Sequence, residues 1–152
     1  MGHTTQNAAV LTRSKCQGQP TEPTCTVVQS GATQEARQGV LCFAGLAAEN
    51  VGTRGICMQL VTIPPGGRAQ PHLHAHHETA IYVLSGEAEM WYGAHLQQRL
   101  VVQSGDFLYI PADMPHMPVN RSQTAPCIAV VARTDPRAHE SVVLLPELDR
   151  AD

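Results

Sequence analysis

Residues 66–86, GGRAQPHLHAHHETAIYVLSG, decide the fold together with a second stretch, residues 105–120, GDFLYIPADMPHMPVN. Four of the eight histidines fall within six positions of the first stretch: His72, His74, His76 and His77. Glu78 follows them at once, and His116 lies between two prolines of the second stretch. Side chains two positions apart on a strand share a face, so His72 and His74 can point their imidazoles at one place. The pattern predicts a metal site.

The donor atoms in these stretches are those that bind transition metals. His72 and His74 supply two imidazole nitrogens, and Glu78 supplies a carboxylate four residues beyond His74. A histidine from a neighbouring strand, His116, would supply a third nitrogen. Three nitrogens and one oxygen suit Fe, Mn, Ni, Co or Zn, and they leave a coordination position open for a substrate. We therefore expect one divalent transition metal ion as cofactor.

Short apolar or alternating segments separated by Gly and Pro recur along the chain. The segments predicted as strands are residues 25–28, 40–44, 56–63, 81–84, 88–92, 96–103, 107–110, 115–120, 127–132 and 142–145. About ten short strands at such spacing are typical of an all-β sandwich or barrel. Residues 34–37 are predicted to form no more than a helical turn.

The two histidine-bearing stretches resemble the two motifs of the cupin superfamily. The first motif, Gly-x5-His-x-His-x3,4-Glu-x6-Gly, matches at Gly66, His72, His74, Glu78 and Gly86. The second, Gly-x5-Pro-x-Gly-x2-His-x3-Asn, matches at Gly105, Pro111, His116 and Asn120, with Asp113 in place of its glycine. The resemblance covers about residues 55–133. It implies a double-stranded β-helix, or jelly-roll barrel, that holds the metal inside with His72, His74, Glu78 and His116.

The chain departs from the family pattern at two places. Asp113 replaces a glycine, with little effect expected because Asp tolerates unusual backbone angles. Seven residues rather than six separate Glu78 from Gly86, and a slip of one residue turns a strand side chain to the opposite face. Either a β-bulge absorbs the extra residue and Glu78 binds the metal, or Thr79 takes the glutamate position. In the second case His77, or even His76, replaces the carboxylate, or histidines alone hold the ion.

Composition limits the partners and the location of the chain. The 152 residues suit one domain, and the formal net charge is −3. Since positive charge supplies most non-specific affinity for nucleic acid, we expect no nucleic-acid partner. No apolar run approaches the ~18–20 residues that span a bilayer, and no leader pattern is evident, so we expect no membrane partner and a cytoplasmic location. We expect a flexible N-terminal arm at 1–24, a single barrel domain at 25–146 and a C-terminal tail at 147–152.

The remaining signals are weaker. The five cysteines lack a CxxC spacing and predict reduced thiols, with Cys57 and Cys127 in apolar runs and Cys16 and Cys25 exposed. Three further predictions concern the surroundings of the metal motifs: Arg68 is solvated, Met114 and Met117 line a pocket wall or the core, and Asn120 holds a turn or supports His116.

The resemblance implies a protein that acts on a small-molecule substrate. Dioxygenase-type oxidation is a frequent activity of small cupin-like proteins, so we predict a non-heme dioxygenase-type oxidoreductase whose metal centre carries the reaction. A metal-dependent sugar or sugar-phosphate isomerase is an alternative, with His76 or His77 as the base. A non-catalytic barrel that only binds a small ligand or the metal is another. We also expect a homodimer, because the exposed edges of a jelly roll need cover.

Overall fold

Two antiparallel sheets are built from strands whose side chains alternate between a buried and an exposed face. The computed structural model describes residues 22–138 and 141–150. Its strands are β1 (Gln34–Glu35), β2 (Leu41–Leu46), β3 (Cys57–Ile63), β4 (His72–His74), β5 (Thr79–Ser85), β6 (Glu87–Tyr92), β7 (Gln98–Gln103), β8 (Phe107–Ile110), β9 (His116–Val119), β10 (Cys127–Arg133) and β11 (Val142–Leu144). The helical elements are α1 (Ala48–Val51) and a 3-10 turn at Pro146–Leu148.

The strands form one sheet of six and one sheet of five. The six-stranded sheet has the order β1-β2-β3-β10-β5-β8, and the five-stranded sheet has the order β11-β4-β9-β6-β7. Sequence neighbours such as β4 and β5 lie in different sheets, so the chain crosses repeatedly between them. This arrangement confirms the all-β double-stranded β-helix, or jelly roll, that the sequence predicts.

The interior between the sheets has an apolar end and a polar end. The apolar end includes Ile63, Val83 and Cys127, which belong to one buried cluster. The polar end contains Thr79 and Arg133, which are direct partners at the far ends of β5 and β10. Both are buried. A polar group inside a protein needs a partner, so the polar end is where a ligand is to be sought.

Gly86 and Asn120 of the two motifs fix the chain near the apolar end. Gly86 has φ 77°, and a Cβ there would collide with the carbonyl oxygen of Pro126. The buried Asn120 amide donates hydrogen bonds to the carbonyl oxygens of Ile63 (3.0 Å), Pro64 (3.2 Å) and Ala125 (2.9 Å). Asn120 therefore holds a turn, as one of its two predicted roles requires.

Most predicted strands are found within a few residues of their expected positions, with one exception. Residues 25–28 were predicted as a strand, but they form none, and Val27 is 73% exposed. Apolar β-branched residues favour a strand only where a neighbouring strand and a core receive them. Residues 34–37 form no helix, in line with the prediction of no more than a turn: β1 begins there and pairs with β2, and a turn follows at Arg37.

The structure covers only part of the predicted arm and tail. Residues 1–21 of the arm and 151–152 of the tail lie outside the described residues. The division into arm, barrel and tail stays a prediction. No helix among the described residues has the length and hydrophobicity needed to span a bilayer.

The four cysteines within the described ranges are free thiols. Cys42, Cys57 and Cys127 are buried, as expected for the last two, and Cys25 is exposed. Burial raises the pKa of Cys42 to about 11 and also raises the pKa of Cys57. These inner thiols are therefore protonated at neutral pH. Cys16 lies outside the described residues.

The outer surface of the six-stranded sheet is apolar. Leu60, Val130, Tyr82 and Phe107 are successive cross-strand partners along one row, and the rings of Tyr82 and Phe107 lie 4.7 Å apart. Phe107 is 84% exposed. We call the following residues the outer apolar face: Met58, Leu60, Thr62, Ala80, Tyr82, Leu84, Phe107, Tyr109, Ile128, Val130 and Ala132. None of them carries a charge.

Candidate metal centre

Three histidines from two strands of the five-stranded sheet come together at the polar end of the interior. His72 and His116 are direct cross-strand partners in β4 and β9, and His74 shares the buried face of β4 with His72. The ring centroids are 4.3 Å apart for His72–His116, 5.2 Å for His72–His74 and 5.6 Å for His74–His116. One ligand atom from each ring lies within 4.8 Å of the others. The shared face and the distant third histidine are both as predicted.

Hydrogen bonds at the outer ring nitrogens leave the inner nitrogens free to bind a metal. His72 Nδ1 lies 2.7 Å from the carbonyl oxygen of Gln70, and His116 Nδ1 lies 2.8 Å from that of Met114. Because a carbonyl only accepts, both Nδ1 atoms carry the proton and both Nε2 atoms present a lone pair. His74 Nδ1 lies 3.3 Å from the Ser141 hydroxyl. This support of the far nitrogen is the arrangement found around metal-bound histidines.

The His74 ring tests whether a metal fits here. Its Nε2 atom is buried and has no hydrogen-bond partner among the described residues. A buried nitrogen without a partner is costly, and a cation between the three rings would satisfy it. The three-histidine group therefore fits a transition metal ion.

Burial keeps the three imidazoles neutral. Desolvation lowers the pKa of His72 to about 4 and that of His116 to about 3, and it also lowers the pKa of His74. The positive charge of Arg133 lowers all three pKa values further. Metal ligands must be unprotonated, so these rings are ready to bind an ion at neutral pH without releasing a proton.

Glu78 lies outside the three-histidine group. Its side chain is exposed, and its Oε1 accepts a 2.8 Å hydrogen bond from the Tyr109 hydroxyl. The inward position next to it belongs to Thr79, which is 2% exposed. A bulge does occur in β5, but it falls at Leu84, opposite the step between Ile128 and Ala129. Residues 79–83 alternate without interruption, so the bulge does not turn Glu78 inward.

The other two histidines of the cluster also stand apart from the group. His77 Nδ1 lies 3.3 Å from the Thr134 hydroxyl. His76 is exposed and has φ 65° in the loop after β4. Of the arrangements left open by the sequence, the geometry assembles the one in which Thr79 holds the glutamate position. In that arrangement the three histidines alone would hold the ion.

Asp113, which replaces the family glycine, ties the two motifs together. Its φ is 61°, the conformation for which a glycine would otherwise be suited. Its carboxylate accepts a 2.9 Å hydrogen bond from the His76 N–H, and its own N–H donates to the carbonyl oxygen of His74 at 3.1 Å. The expected tolerance of Asp at this turn is thereby explained.

A cavity reaches the histidine group from the side of His116. Its volume is about 240 Å³. It is lined by Met90, Tyr92, Leu100, Leu108, Tyr109, Ile110, Pro111, Met114 and His116. The lining is mostly apolar and carries no Lys, Arg, Asp or Glu. Met114 forms part of this wall as expected, whereas Met117 is buried and receives a 3.2 Å contact from Arg68. Arg68 also pairs with Asp149 at 2.7 Å.

Arg133 is the site residue that the motifs do not reveal. It is 7% exposed and points inward from β10 on the same face as Val131 and Ala129. Its Nη1 lies 3.5 Å from Gln59 Oε1, and its Nε has no partner among the described residues. The alternation of residues 127–133 is visible in the sequence, and it would have placed this charge inside the barrel.

Comparisons with known proteins agree with this geometry. The family model described as the Cupin domain matches residues 59–133. A comparison with curated proteins gives no match.

Three solved structures show the same fold. An oxalate decarboxylase from Lactobacillus farciminis, solved as a formate complex, is 22% identical with a TM-score of 0.63, covering 74% of this chain and 33% of its own. A recombinant oxalate oxidase in complex with glycolate is 24% identical with a TM-score of 0.62, covering 75% of this chain and 59% of its own. A protein from Acidithiobacillus ferrooxidans, named as a proposed sugar phosphate isomerase, is 22% identical with a TM-score of 0.54, covering 76% and 81%.

The chain thus spans 33% of the oxalate decarboxylase that it resembles, and the likeness at these identities concerns the fold. The family match covers both histidine-bearing motifs, and the two sheets bring those motifs together. From motifs, architecture and family match alike, the chain belongs to the cupin superfamily.

Proposed function

We propose that this chain is a metal-dependent oxidoreductase of the non-heme dioxygenase type, acting on a small organic molecule. One observation carries the proposal. Three buried, neutral histidines meet where His116 forms the wall of an apolar cavity of about 240 Å³. This volume lies just below the usual range for ligand pockets, so the cavity beside the three histidines suits a small substrate.

The residues of the chain have distinct tasks in this proposal. His72, His74 and His116 would hold the ion through the nitrogens that face one another. A divalent ion held there supplies Lewis-acid and redox chemistry for O2 and an organic substrate. The carbonyls of Gln70 and Met114 orient two of the rings. The apolar lining excludes water and keeps the substrate against His116.

The lining favours oxidation over the isomerisation of a sugar phosphate. Phosphate recognition usually draws on several Arg, Lys or backbone N–H groups at once. The cavity wall has no cationic side chain, and Arg133 is the single buried cation among the described residues. Isomerisation also needs a base beside the metal. His76 and His77 do not line the cavity. The same wall suits a phenol or an enolisable diketone, which offers one or two oxygens to the metal and an apolar body to the cavity.

Oxygen consumption tests the proposal directly. The protein is stripped with EDTA, reloaded separately with Fe(II), Mn(II), Ni(II), Co(II) or Zn(II), and assayed with small phenols and β-diketones. We expect uptake of O2 with Fe(II), and incorporation of both atoms of ¹⁸O2 into product, so that no external reductant is consumed. Glu78→Gln is the matched control, and we expect it to keep the activity because its carboxylate lies outside the histidine group.

Two results would reject the proposal in favour of its alternatives. Product formed equally well under argon would identify an isomerase. A ligand that is retained tightly, with no turnover by any reloaded form, would identify a binding protein.

We also propose that two copies associate through the outer apolar face. The face lacks any charged residue, and Tyr82 and Phe107 are exposed on it. Such a surface requires an equally uncharged partner, and a second copy provides one. At strand spacings of about 4.8 Å and rises of about 3.3 Å per residue the face measures several hundred Å², in the range of functional surface patches. Light scattering tests this association, and a monomeric mass at all concentrations would refute it.

A further inference from the structure

An inner row of residues crosses the six-stranded sheet at the polar end of the interior. Cys57, Arg133, Thr79 and Ile110 are successive cross-strand partners in β3, β10, β5 and β8, and all four are buried. On the five-stranded sheet, His72, His116 and Tyr92 form the corresponding row. The guanidinium of Arg133 and the hydroxyl of Thr79 therefore belong to the same row as Ile110, which lines the cavity.

The guanidinium of Arg133 has no carboxylate at ion-pair distance within the described part of the chain. Asp135 is buried nearby, but its oxygens accept hydrogen bonds from the N–H groups of Arg137 (2.9 Å) and Ser141 (3.2 Å). The Arg133 side chain contacts the Gln59 amide oxygen at 3.5 Å and the Cys57 thiol, and the charge of Asp135 acts on it from beyond ion-pair distance. An arginine has five N–H donors, and the Nε donor here has no partner among the described residues.

Thr79 adds a second unused polar group beside Arg133. Its hydroxyl is buried without a hydrogen-bond partner among the described residues, and so is the Nε of Arg133. The two residues are directly opposite each other in antiparallel strands, where Cβ atoms are about 4.5–5.5 Å apart. The Thr79 hydroxyl and the Arg133 Nε are therefore neighbouring donors without partners among the described residues, and both side chains are more than nine-tenths buried.

The electrostatic balance of the site indicates what belongs there. Thr134, which follows Arg133, contacts His77 and the N–H of Glu78 just beyond β4, so Arg133 lies at the same end of the barrel as the histidines. Its charge lowers the pKa of each of the three rings. A divalent ion held by three neutral imidazoles would bring two further positive charges to the same interior. The buried carboxylate of Asp135 acts on Arg133, but one negative charge does not balance three buried positive charges.

We propose that Arg133 and Thr79 form the anion-binding part of the substrate site, so that the substrate carries a carboxylate or enolate oxygen beside the metal. This inference rests on the proposed function and narrows its substrate class. The charged end of the substrate lies between the histidines and Arg133, and its apolar body occupies the cavity beyond Ile110. The substrate thereby provides the negative charge that Glu78 does not.

Anion binding without turnover tests this inference. The Co(II)-loaded protein is titrated with acetate and with neutral acetamide at constant ionic strength, and binding is followed by the visible Co(II) spectrum. We expect Arg133→Gln to weaken acetate binding by about 10- to 100-fold, since charge-assisted hydrogen bonds are roughly twice as strong as neutral ones. Acetamide binding should be unchanged. Arg99→Gln, which removes a charge from the outer surface beside Trp91, should leave both unchanged.

Further variants keep the inference testable if Arg133→Gln does not fold. Thr79→Val removes only the hydroxyl and should weaken acetate binding several-fold, whereas Thr79→Ser should retain it. The inference is overturned if Arg133→Gln binds acetate within twofold of the unaltered protein. It is also overturned if Thr79→Val binds acetate as well as Thr79→Ser does, with both within twofold of the unaltered protein.

A failure of the metal site can be told apart from a failure of the anion site. If the protein binds no Co(II), the proposed function fails, and the anion site is then tested by calorimetric titration of the apoprotein with acetate. Acetate heats that disappear in Arg133→Gln and Thr79→Val support the anion site even then. Equal heats, or none in the unaltered protein, overturn it.

Discussion

Replacing His116 and Glu78 separately gives the sharpest test of the metal centre. The family motif includes both residues among the ligands, whereas the structure places only His116 in the three-histidine group. Glu78 is exposed and bonded to Tyr109. The variants His116→Asn and Glu78→Gln both keep a polar side chain at the altered position, so they form a matched pair.

The expected magnitudes follow from the number of ligands. Four-ligand structural zinc sites bind with about 10–16 kcal/mol, so each ligand contributes on the order of 3 kcal/mol. Loss of His116 from a three-ligand site should therefore raise the metal Kd by roughly 100-fold. Glu78→Gln removes a carboxylate that faces solvent, and its Kd should stay within about twofold.

Competition between the protein and a chromophoric chelator for Zn(II) or Co(II) measures these Kd values. The thermal unfolding midpoint in EDTA shows whether His116→Asn still folds, and His77→Asn serves as a second variant expected to bind normally. The reasoning is refuted if Glu78→Gln weakens metal binding as much as His116→Asn does. That result would mean that the loop after β4 rearranges to bring the carboxylate inward when the metal binds.

Four further outcomes are expected. In the metal-free protein the pKa of His72 is about 4, against 6.5 in the unfolded chain, so its contribution to the free energy of unfolding is complete above pH 6.5. His72 alone then lowers the stability by about 3 kcal/mol toward pH 4, because only the unfolded chain takes up the proton, and His74 and His116 lower it further since burial depresses their pKa values too; flat denaturation midpoints would contradict this. Gly86→Ala should prevent folding or cost more than about 3 kcal/mol, whereas Gly105→Ala, with positive φ but open space, should cost about 1–2 kcal/mol in urea unfolding. Asn120→Ala should cost at least about 2 kcal/mol by the same measurement, since buried carbonyls lose their donor. Phe107→Glu should halve the mass measured by light scattering if the outer apolar face joins two copies.

The sequence predicts the fold and most of the metal site because both depend on local periodicity. The strand period of two places His72 and His74 on one face, and the spacing to His116 brings the third ring from a different strand. The pattern does not resolve the role of Glu78. A bulge somewhere before Gly86 is compatible with either orientation, and only pairing with β10 shows that it falls at Leu84.

Other features depend on contacts that no local pattern contains. The segment at 25–28 has the composition of a strand, but it forms no strand in the structure. Arg133 can be assigned to the inner face from alternation, but the absence of an ion pair with any described carboxylate follows only from where β3, β5 and β10 place their neighbours. The anion-binding inference therefore requires the assembled barrel.

The hydrogen bonds of Asp113 have a consequence for how metal affinity could be adjusted. Asp113 forms hydrogen bonds with both the N–H of His76 and the carbonyl of His74. It therefore links the loop before β9 to the loop after β4. A change at this surface position would be transmitted through the main chain to His74. Natural variation or engineering at Asp113 would thus adjust the affinity for the proposed metal ion from outside the barrel, while every donor atom stays the same.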